Sequence, residues 1–268
     1  MNDQEKNHLN ERQNKIMEFM HQQNAIPVSQ LATMLKVSEV TIRKDLSFLE
    51  QQNLLYRVHG SAILINRYTN NKTIVEKKRL CINEKRAIGK YAATLIMPRD
   101  TIIIASGTTM QSFADQIIVK ESLTVISSSF EVSSSLVAKE NVDVIQLGGL
   151  VRESSMAVMG PIAEQMLSGL SCSKLFLGVD GIDLDFGITT TNHMEAHLHR
   201  IMVDTAQKTI VLADHTKFNR RGYSQICSMD QVDEIVTDSE APHDIVEKIL
   251  DAGIDVTLVD NEGIPIKI

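Results

Sequence analysis

Apolar positions in the first sixty residues recur three and four apart, which predicts a series of short helices. In residues 11–23, Ile16, Phe19 and Met20, continued by Gln23, make one stripe of an amphipathic helix. Asn24 and Pro27 break it. Ser29 is placed to cap a second, short helix whose Leu31, Met34 and Leu35 face inward. Lys36-Val37-Ser38 reads as a tight turn, with Ser38 the N-cap of a third helix running to about Gln52. Thr41 holds the third helical position, so there is no capping box. Val40, Leu46 and Leu49 are expected on the inner face, and Thr41, Arg43, Lys44 and Ser47 on the others. The run LLYRVHGSAILI after Asn53 is β-prone, with a glycine turn at Gly60, and predicts a hairpin.

The pattern then changes. Residues 66–82 are polar, charged and weakly patterned, as in a linker leading into a helix at about 83–96. From there strands and helices alternate. Strands are predicted at 101–105, 123–127, 143–147, 175–179, 209–213, 234–237 and 256–259. Helices are predicted up to about 117 and at 130–139, 161–167, 193–207 and 245–252. Two helices joined by a tight turn, followed by a hairpin, give a winged helix-turn-helix. Strands alternating with helices give an α/β domain whose mostly parallel sheet is covered on both faces. The expected division is 1–64 for the winged helix-turn-helix, 65–82 for the linker and 83–268 for the α/β domain.

A length of 268 residues suits two domains of unequal size. No run of 18 apolar residues occurs, so no membrane-spanning helix is expected. The polar first twenty residues do not read as a secretory signal. Cys81, Cys172 and Cys227 are widely spaced and odd in number, which fits reduced thiols of a cytoplasmic protein. The net charge of −7 argues by itself against a nucleic-acid partner. It is unevenly spread, however. Residues 1–60 hold seven Lys/Arg and seven Asp/Glu, whereas the rest of the chain holds 20 and 27. A neutral module on an acidic body can still bind DNA.

In a helix-turn-helix the second helix enters the major groove and its first turns meet base edges. Arg43 and Lys44 are the natural phosphate or guanine contacts, and Ser38 and Thr41 can reach either. Arg57 and His59 near the hairpin tip can touch backbone or minor groove. The competing explanation is a small helical bundle with one basic pair. The spelling favours the first: Arg12, Ile16, Val37-Ser38, Thr41-Ile42-Arg43-Lys44-Asp45-Leu46, Leu49 and Arg57-Val58-His59-Gly60 resemble the DNA-binding signature of the DeoR family of bacterial transcriptional regulators. Ser61 departs from it, since the family usually has a second glycine there.

Five polar loops follow strands in the body. They are Ser106-Gly107-Thr108-Thr109, Ser127-Ser128-Ser129, Gly148-Gly149 with Arg152, Gly178 through Asp183, and Asp214-His215-Thr216-Lys217. Ligands of parallel sheets bind outside the carboxyl ends of the strands. Glycine admits a ligand close to the backbone, and hydroxyls with free amides at a helix N-terminus suit a phosphate. A single Gly-Thr turn is also an ordinary strand-to-helix connection, and the first loop is no P-loop. Together the loops supply hydroxyls, amides, carboxylates and cations, an inventory that suits a phosphorylated sugar or sugar alcohol.

Ser106-Gly107-Thr108-Thr109, Gly148-Gly149, Gly178-Val179-Asp180-Gly181, Gly187-Ile188-Thr189-Thr190 and Asp214-His215-Thr216-Lys217-Phe218 resemble, in that order, the effector domain of the same family. That domain is similar in fold to ribose-5-phosphate isomerase. The resemblance implies that the loop from Ser106 holds the phosphate with Lys217 near it, and that Asp180 faces the sugar. Ser128, Gly149, Arg152 and Gly181 complete the candidate effector set. Ala105 stands where the family often has Asp, and Ser127-Ser128 where it often has Thr-Asn. Both departures remove groups able to read hydroxyls.

The rival reading is an isomerase-like enzyme with an appended DNA-binding module. Shifting a proton between sugar carbons needs a carboxylate base and a cation or donor for the enediolate. Counting back from Asp214, the positions of the isomerases' Lys and Glu fall at about Thr190 and His199, and Glu195 serves only if the alignment slips. His193 and His197 share a helix face as zinc ligands do, but Glu195 is not placed as in a zinc protease, and no metal or cofactor is expected. The expectation is therefore a repressor of a sugar or sugar-alcohol operon, relieved by a phosphorylated sugar. It would bind double-stranded operator DNA as a dimer or tetramer.

Overall fold

The computed structural model describes residues 9–22, 25–51, 54–58, 61–64 and 74–266. The chain divides into two compact units, residues 1–70 and 71–268.

The first unit runs α1 (Glu11–Gln22), β1 (Ala25–Pro27), α2 (Val28–Leu35), α3 (Glu39–Gln51), β2 (Leu55–Val58) and β3 (Ser61–Leu64). β2 and β3 form the expected antiparallel hairpin, and β1, which the apolar pattern did not predict, adds to β3. Ile16, Met20, Leu31, Ile42, Leu46 and Leu49 are fully buried and form one core.

Three local expectations change. Ser29 does not cap α2: the helix starts at Val28, after Pro27, and Ser29 lies inside its first turn. Met34 is 38% exposed, because Val28, Leu31 and Ala32 make the inner stripe of α2. Val40 is 61% exposed, because the core of α3 is Ile42, Leu46 and Leu49, spaced four and three apart. Asp45 on the same helix is buried. It accepts hydrogen bonds from Arg12 Nε at 2.5 Å and Arg12 Nη2 at 3.1 Å, which ties α3 to α1.

The second unit begins with α4 (Ile74–Lys78) and α5 (Ile82–Thr94). It continues β4 (Thr101–Ile104), α6 (Thr108–Gln116), β5 (Leu123–Ser127), α7 (Phe130–Leu136) and β6 (Val142–Gln146). The hairpin β7 (Leu150–Arg152) and β8 (Ala157–Met159), α8 (Pro161–Leu167) and β9 (Cys172–Gly178) come next. Then follow β10 (Gly181–Asp183), β11 (Gly187–Thr190), α9 (His193–Thr205), β12 (Ala206–Leu212) and β13 (Ser224–Cys227). β14 (Glu234–Asp238), α10 (His243–Asp251), β15 (Asp255–Val259) and β16 (Pro265–Ile266) close the unit.

Eight strands form one sheet in the order β16-β15-β14-β12-β9-β4-β5-β6, parallel except for β16. Its apolar strands face two helical layers in alternation. Ile103, Ile126, Leu175, Leu177, Val211 and Ile235 pack with α8, α9 and α10, while Ile102, Ile104, Val125, Phe176, Ile210 and Val236 pack with α5, α6 and α7. Burial on both faces is why these strands read as continuous apolar runs. β10, β11 and β13 form a separate antiparallel sheet. Residues 74–78, within the stretch read as linker, form α4 of the second unit.

The winding reverses once. From β4 the chain moves outward through β5 and β6, then returns to lay β9 on the other side of β4 and continues through β12, β14 and β15. Diverging connections at such a point leave a crevice beyond the carboxyl ends of the strands.

Helices α5 and α6 meet at Gly89, where a Cβ would lie 2.8 Å from the Phe113 nitrogen and 2.9 Å from its Cα. Gly89→Ala gains about 1 kcal/mol of helix propensity but forces two backbones apart, at about 1–3 kcal/mol. Urea unfolding should therefore show net destabilisation, and a more stable variant would mean that the two helices separate without cost.

Candidate functional site

The crevice between the ends of β4 and β9 is a cavity of about 60 Å³. On the β4 side it is lined by Ser106, Gly107, Thr108 and Thr109. Gly107 has φ +128°, a conformation that only glycine adopts freely, and the space where its Cβ would stand is open. No side chain caps α6 at Gly107, so the first amides of that helix carry their partial positive charge beside the hydroxyls of Thr108 and Thr109. Such an arrangement suits an anion.

The β9 side carries Gly178, Val179 and Asp180. Asp180 Oδ2 accepts from Thr190 Oγ1 at 3.0 Å and the Thr191 amide at 3.1 Å, while Oδ1 accepts from Lys77 Nζ at 2.7 Å. Burial alone would raise the pKa of this carboxyl. The Lys77 and Lys217 cations and the hydrogen bonds from Lys77 and Thr190 outweigh it and hold the group well below the usual carboxylate range. Lys217 lies on a single 3-10 turn whose N-cap, Asp214, accepts from the Thr216 amide at 3.1 Å. Burial raises the Asp214 pKa, and Lys217, Thr216 and Lys85 together bring it below its ordinary value.

A third wall is polar and partly unpaired. Arg152 Nη1 donates to Glu195 Oε2 at 2.6 Å. Glu195 Oε1, His199 Nδ1 and Ser155 Oγ are buried with no hydrogen-bond partner among the described residues. Unpaired buried polar atoms cost stability unless a ligand or ordered water satisfies them.

The structure thus brings Ser106, Gly107, Thr108, Thr109, Arg152, Asp180 and Lys217 around one cavity. Ser128, Gly149 and Gly181 do not line it. The Ser128 hydroxyl is buried with no hydrogen-bond partner among the described residues, and its carbonyl accepts from the Val158 amide at 2.9 Å. A Cβ on Gly149 would lie 2.7 Å from the Met159 oxygen, and one on Gly181 would lie 2.3 Å from the Arg220 oxygen, so both glycines permit close packing. Ala105 lies in an apolar cluster, behind the lining.

Thr190 and His199, the positions reached by counting back from Asp214, both line the cavity. Ile74, Lys77, Ser154 and Ser155 also line it, and no sequence feature pointed to them. Ile74 and Lys77 belong to a helix too short to show a period. Ser154 and Ser155 form the polar turn of the β7–β8 hairpin.

A larger open groove of about 740 Å³ runs along α5, α6 and α7. Its charged side chains are engaged: Lys78 with Glu131 at 2.6 Å, Lys85 with two carbonyls, and Asp115 with Gln111 at 2.9 Å. His193 and His197 bind separately to Ser224 at 3.1 Å and Glu164 at 2.9 Å. Among the described residues no cluster of His, Cys, Asp and Glu is arranged to hold a metal, and no helix is long and apolar enough to cross a membrane.

In the first unit, Ser38, Thr41, Arg43 and Lys44 occupy the start of α3. Ser38 Oγ accepts from the Thr41 amide at 3.2 Å and meets Thr41 Oγ1 at 2.9 Å. The exposed Arg43 pairs with Glu39 one turn earlier at 2.6 Å, and Lys44 is exposed. Val40, one turn before them, is an exposed apolar group. Arg57 lies on β2, but its side chain and the whole of His59 lie outside the described residues.

Burial holds the His199 pKa below its ordinary value, against the opposing pull of Glu195 and Asp180. The unfolded chain then binds a proton that the folded chain refuses. Stability is complete above the unfolded pKa of about 6.5 and falls as pH drops below it. This slope can reach about 1.4 kcal/mol per pH unit. Replacing His199 by Gln should flatten it in urea titrations between pH 7 and 5, and an unchanged slope would assign it to other groups.

Residues 12–68 match the family described as DeoR-like helix-turn-helix domain, and residues 80–239 match DeoR C terminal sensor domain. A protein of Escherichia coli O157:H7 named for transcriptional repression of the aga operon is 35% identical over 93% of each chain. The HTH-type transcriptional regulator GolR of Listeria innocua is 33% identical over 93% of this chain and 98% of its own. The glycerol-3-phosphate regulon repressor of Escherichia coli K12 is 28% identical over 92% of this chain and 98% of its own. Among solved structures, ribose 5-phosphate isomerase A of Methanocaldococcus jannaschii aligns with 50% of this chain and 53% of its own at a TM-score of 0.38 and 16% identity. With both family profiles matched in order and relatives similar along nearly the whole chain, this protein belongs to the DeoR family of DNA-binding transcriptional regulators.

Proposed function

We propose that this regulator represses an operon for using a sugar or sugar alcohol, and that a phosphorylated form of that compound relieves repression. One observation carries the effector class: the β4–β9 cavity sets an uncapped, hydroxyl-rich helix N-terminus beside Lys217, with unpaired carboxylate, imidazole and hydroxyl atoms elsewhere in its lining. The first group suits a phosphate. The second can bond the hydroxyls of a polyol. The name of the glycerol-3-phosphate regulon repressor agrees with this class.

The isomerase alternative needs a cation and a free carboxylate base at the reacting carbons. The matching positions hold Thr190 and His199, and one oxygen of Glu195 is engaged by Arg152. The residues favour binding without turnover. For DNA, one winged module reaches only a half-site, so we infer a homodimer or tetramer that presents two copies of α3.

Thermal-shift screening against phosphorylated sugars and sugar alcohols, with the unphosphorylated compounds as controls, tests the effector class. A rise in Tm that requires the phosphate is expected, and its absence across the panel would overturn this effector class. Lys217→Ala should weaken such a ligand by about tenfold or more, the loss of one charge-assisted contact, and leave operator affinity unchanged. Calorimetry with unaltered ligand affinity would place Lys217 outside the site. Arg43→Ala should weaken operator binding by about 1–3 kcal/mol and relax sequence preference at one position. Equal affinity on operator and random DNA, measured by fluorescence anisotropy at several salt concentrations, would remove Arg43 from base recognition.

A further inference from the structure

The wall of the cavity that comes from α4 differs from the others. Thr108, Thr109 and His199 stand on helices α6 and α9, and Ser106, Gly107 and Asp180 on short turns after β4 and β9; these strands and helices pack into the two apolar clusters. α4 is five residues long, and its Ile74 is buried but belongs to neither cluster. Polar contacts hold it as well. The Ile74 amide donates to the Ser154 carbonyl at 3.0 Å. Lys77 Nζ lies 2.7 Å from Asp180 Oδ1, and Lys78 Nζ lies 2.6 Å from Glu131 on the other side. Lys85 Nζ donates to the carbonyls of Lys77 and Leu80 at 2.7 and 2.6 Å, which closes the end of the helix.

The size of the cavity matters here. Small-molecule sites usually enclose about 300–1,000 Å³, and this one encloses about 60 Å³ with α4 in place. The space must grow to admit a sugar phosphate, and α4 is a short wall whose buried Ile74 lies outside both apolar clusters. Asp180 leads to the same point. Its Oδ2 is occupied by Thr190 and Thr191, so a ligand hydroxyl reaches this carboxylate through Oδ1, where Lys77 now sits.

We infer that α4 is a strap latched by the Lys77–Asp180 ion pair, and that the effector enters by breaking this pair and lifting the strap. The inference rests on the sugar-phosphate reading above. A ligand shifts such an equilibrium only by its differential affinity for the two states, and here the difference is the space and the Asp180 oxygen that the strap occupies.

Hydrogen–deuterium exchange of the full chain tests the latch with and without ligand. In the absence of ligand, Lys77→Met should speed exchange of peptides spanning 74–80 by about tenfold, the loss of one charge-assisted bond, and Lys77→Arg should restore protection. Unchanged exchange in Lys77→Met overturns the latch. Glycerol 3-phosphate and glucose 6-phosphate are then added at saturation, with binding followed by calorimetry. A bound probe that slows exchange at 106–111 and speeds it at 74–80 supports the strap. A bound probe that protects both segments, or leaves 74–80 unchanged, overturns displacement while leaving the sugar-phosphate site intact. If neither probe binds, the choice of ligand has failed, and the Lys77→Met result alone decides the latch.

Discussion

The reversal of winding between β4 and β9 is the constraint on which the C-terminal unit depends. Neighbouring parallel strands normally end in connections that cross the same face and cover one another. Here the connection after β4 leads toward β5, and the chain after β9 leads away toward β12, so a gap remains between the two strand ends. An apolar core cannot fill this gap, because strand-end loops bring backbone amides and carbonyls that need partners. The chain lines it with glycines, hydroxyls and paired charges, and a polar cavity results.

Charge inside the cavity is arranged in pairs that leave atoms over. Buried ion pairs recover little of their desolvation cost, so Lys77–Asp180 and Arg152–Glu195 are poor devices for stability alone. They do fix carboxylate oxygens in place. Glu195 and His199 then present polar atoms with no protein partner among the described residues. The N-terminal unit separates these tasks. Asp45, buried against Arg12, secures α3 from behind, which leaves Val40, Arg43 and Lys44 on its exposed surface.

Much of this was legible in the chain. Apolar runs such as 101–104 and 123–127 announced strands, because burial on both faces leaves no polar position to blur the signal. The glycine-hydroxyl loop from Ser106 announced a strand-to-helix turn at the mouth of the cavity, because glycine and hydroxyl residues are local signals of a helix start. Other features were hidden. Val40 was read as core because apolar character does not report which way a first-turn residue points. Gly149 and Gly181 were read as ligand contacts, although their missing side chains serve packing against Met159 and Arg220. The sheet of β10, β11 and β13 has strands too short to show alternation, and β13 comes from far along the chain.

The sequence by itself determined the two kinds of unit, the main alternation of strands and helices, the helix-turn-helix, and the loops that meet at the β4 and β9 ends. Each of these is written in local spacing, and local spacing is what burial and capping act on. Only the tertiary structure decided that Lys77, in a stretch without pattern, lies against Asp180 103 positions later. It alone also showed that Ser155, Glu195 and His199 share the cavity with them. The physical reason is that α4 is too short to show a period of its own: contacts made by distant parts of the fold hold it in place.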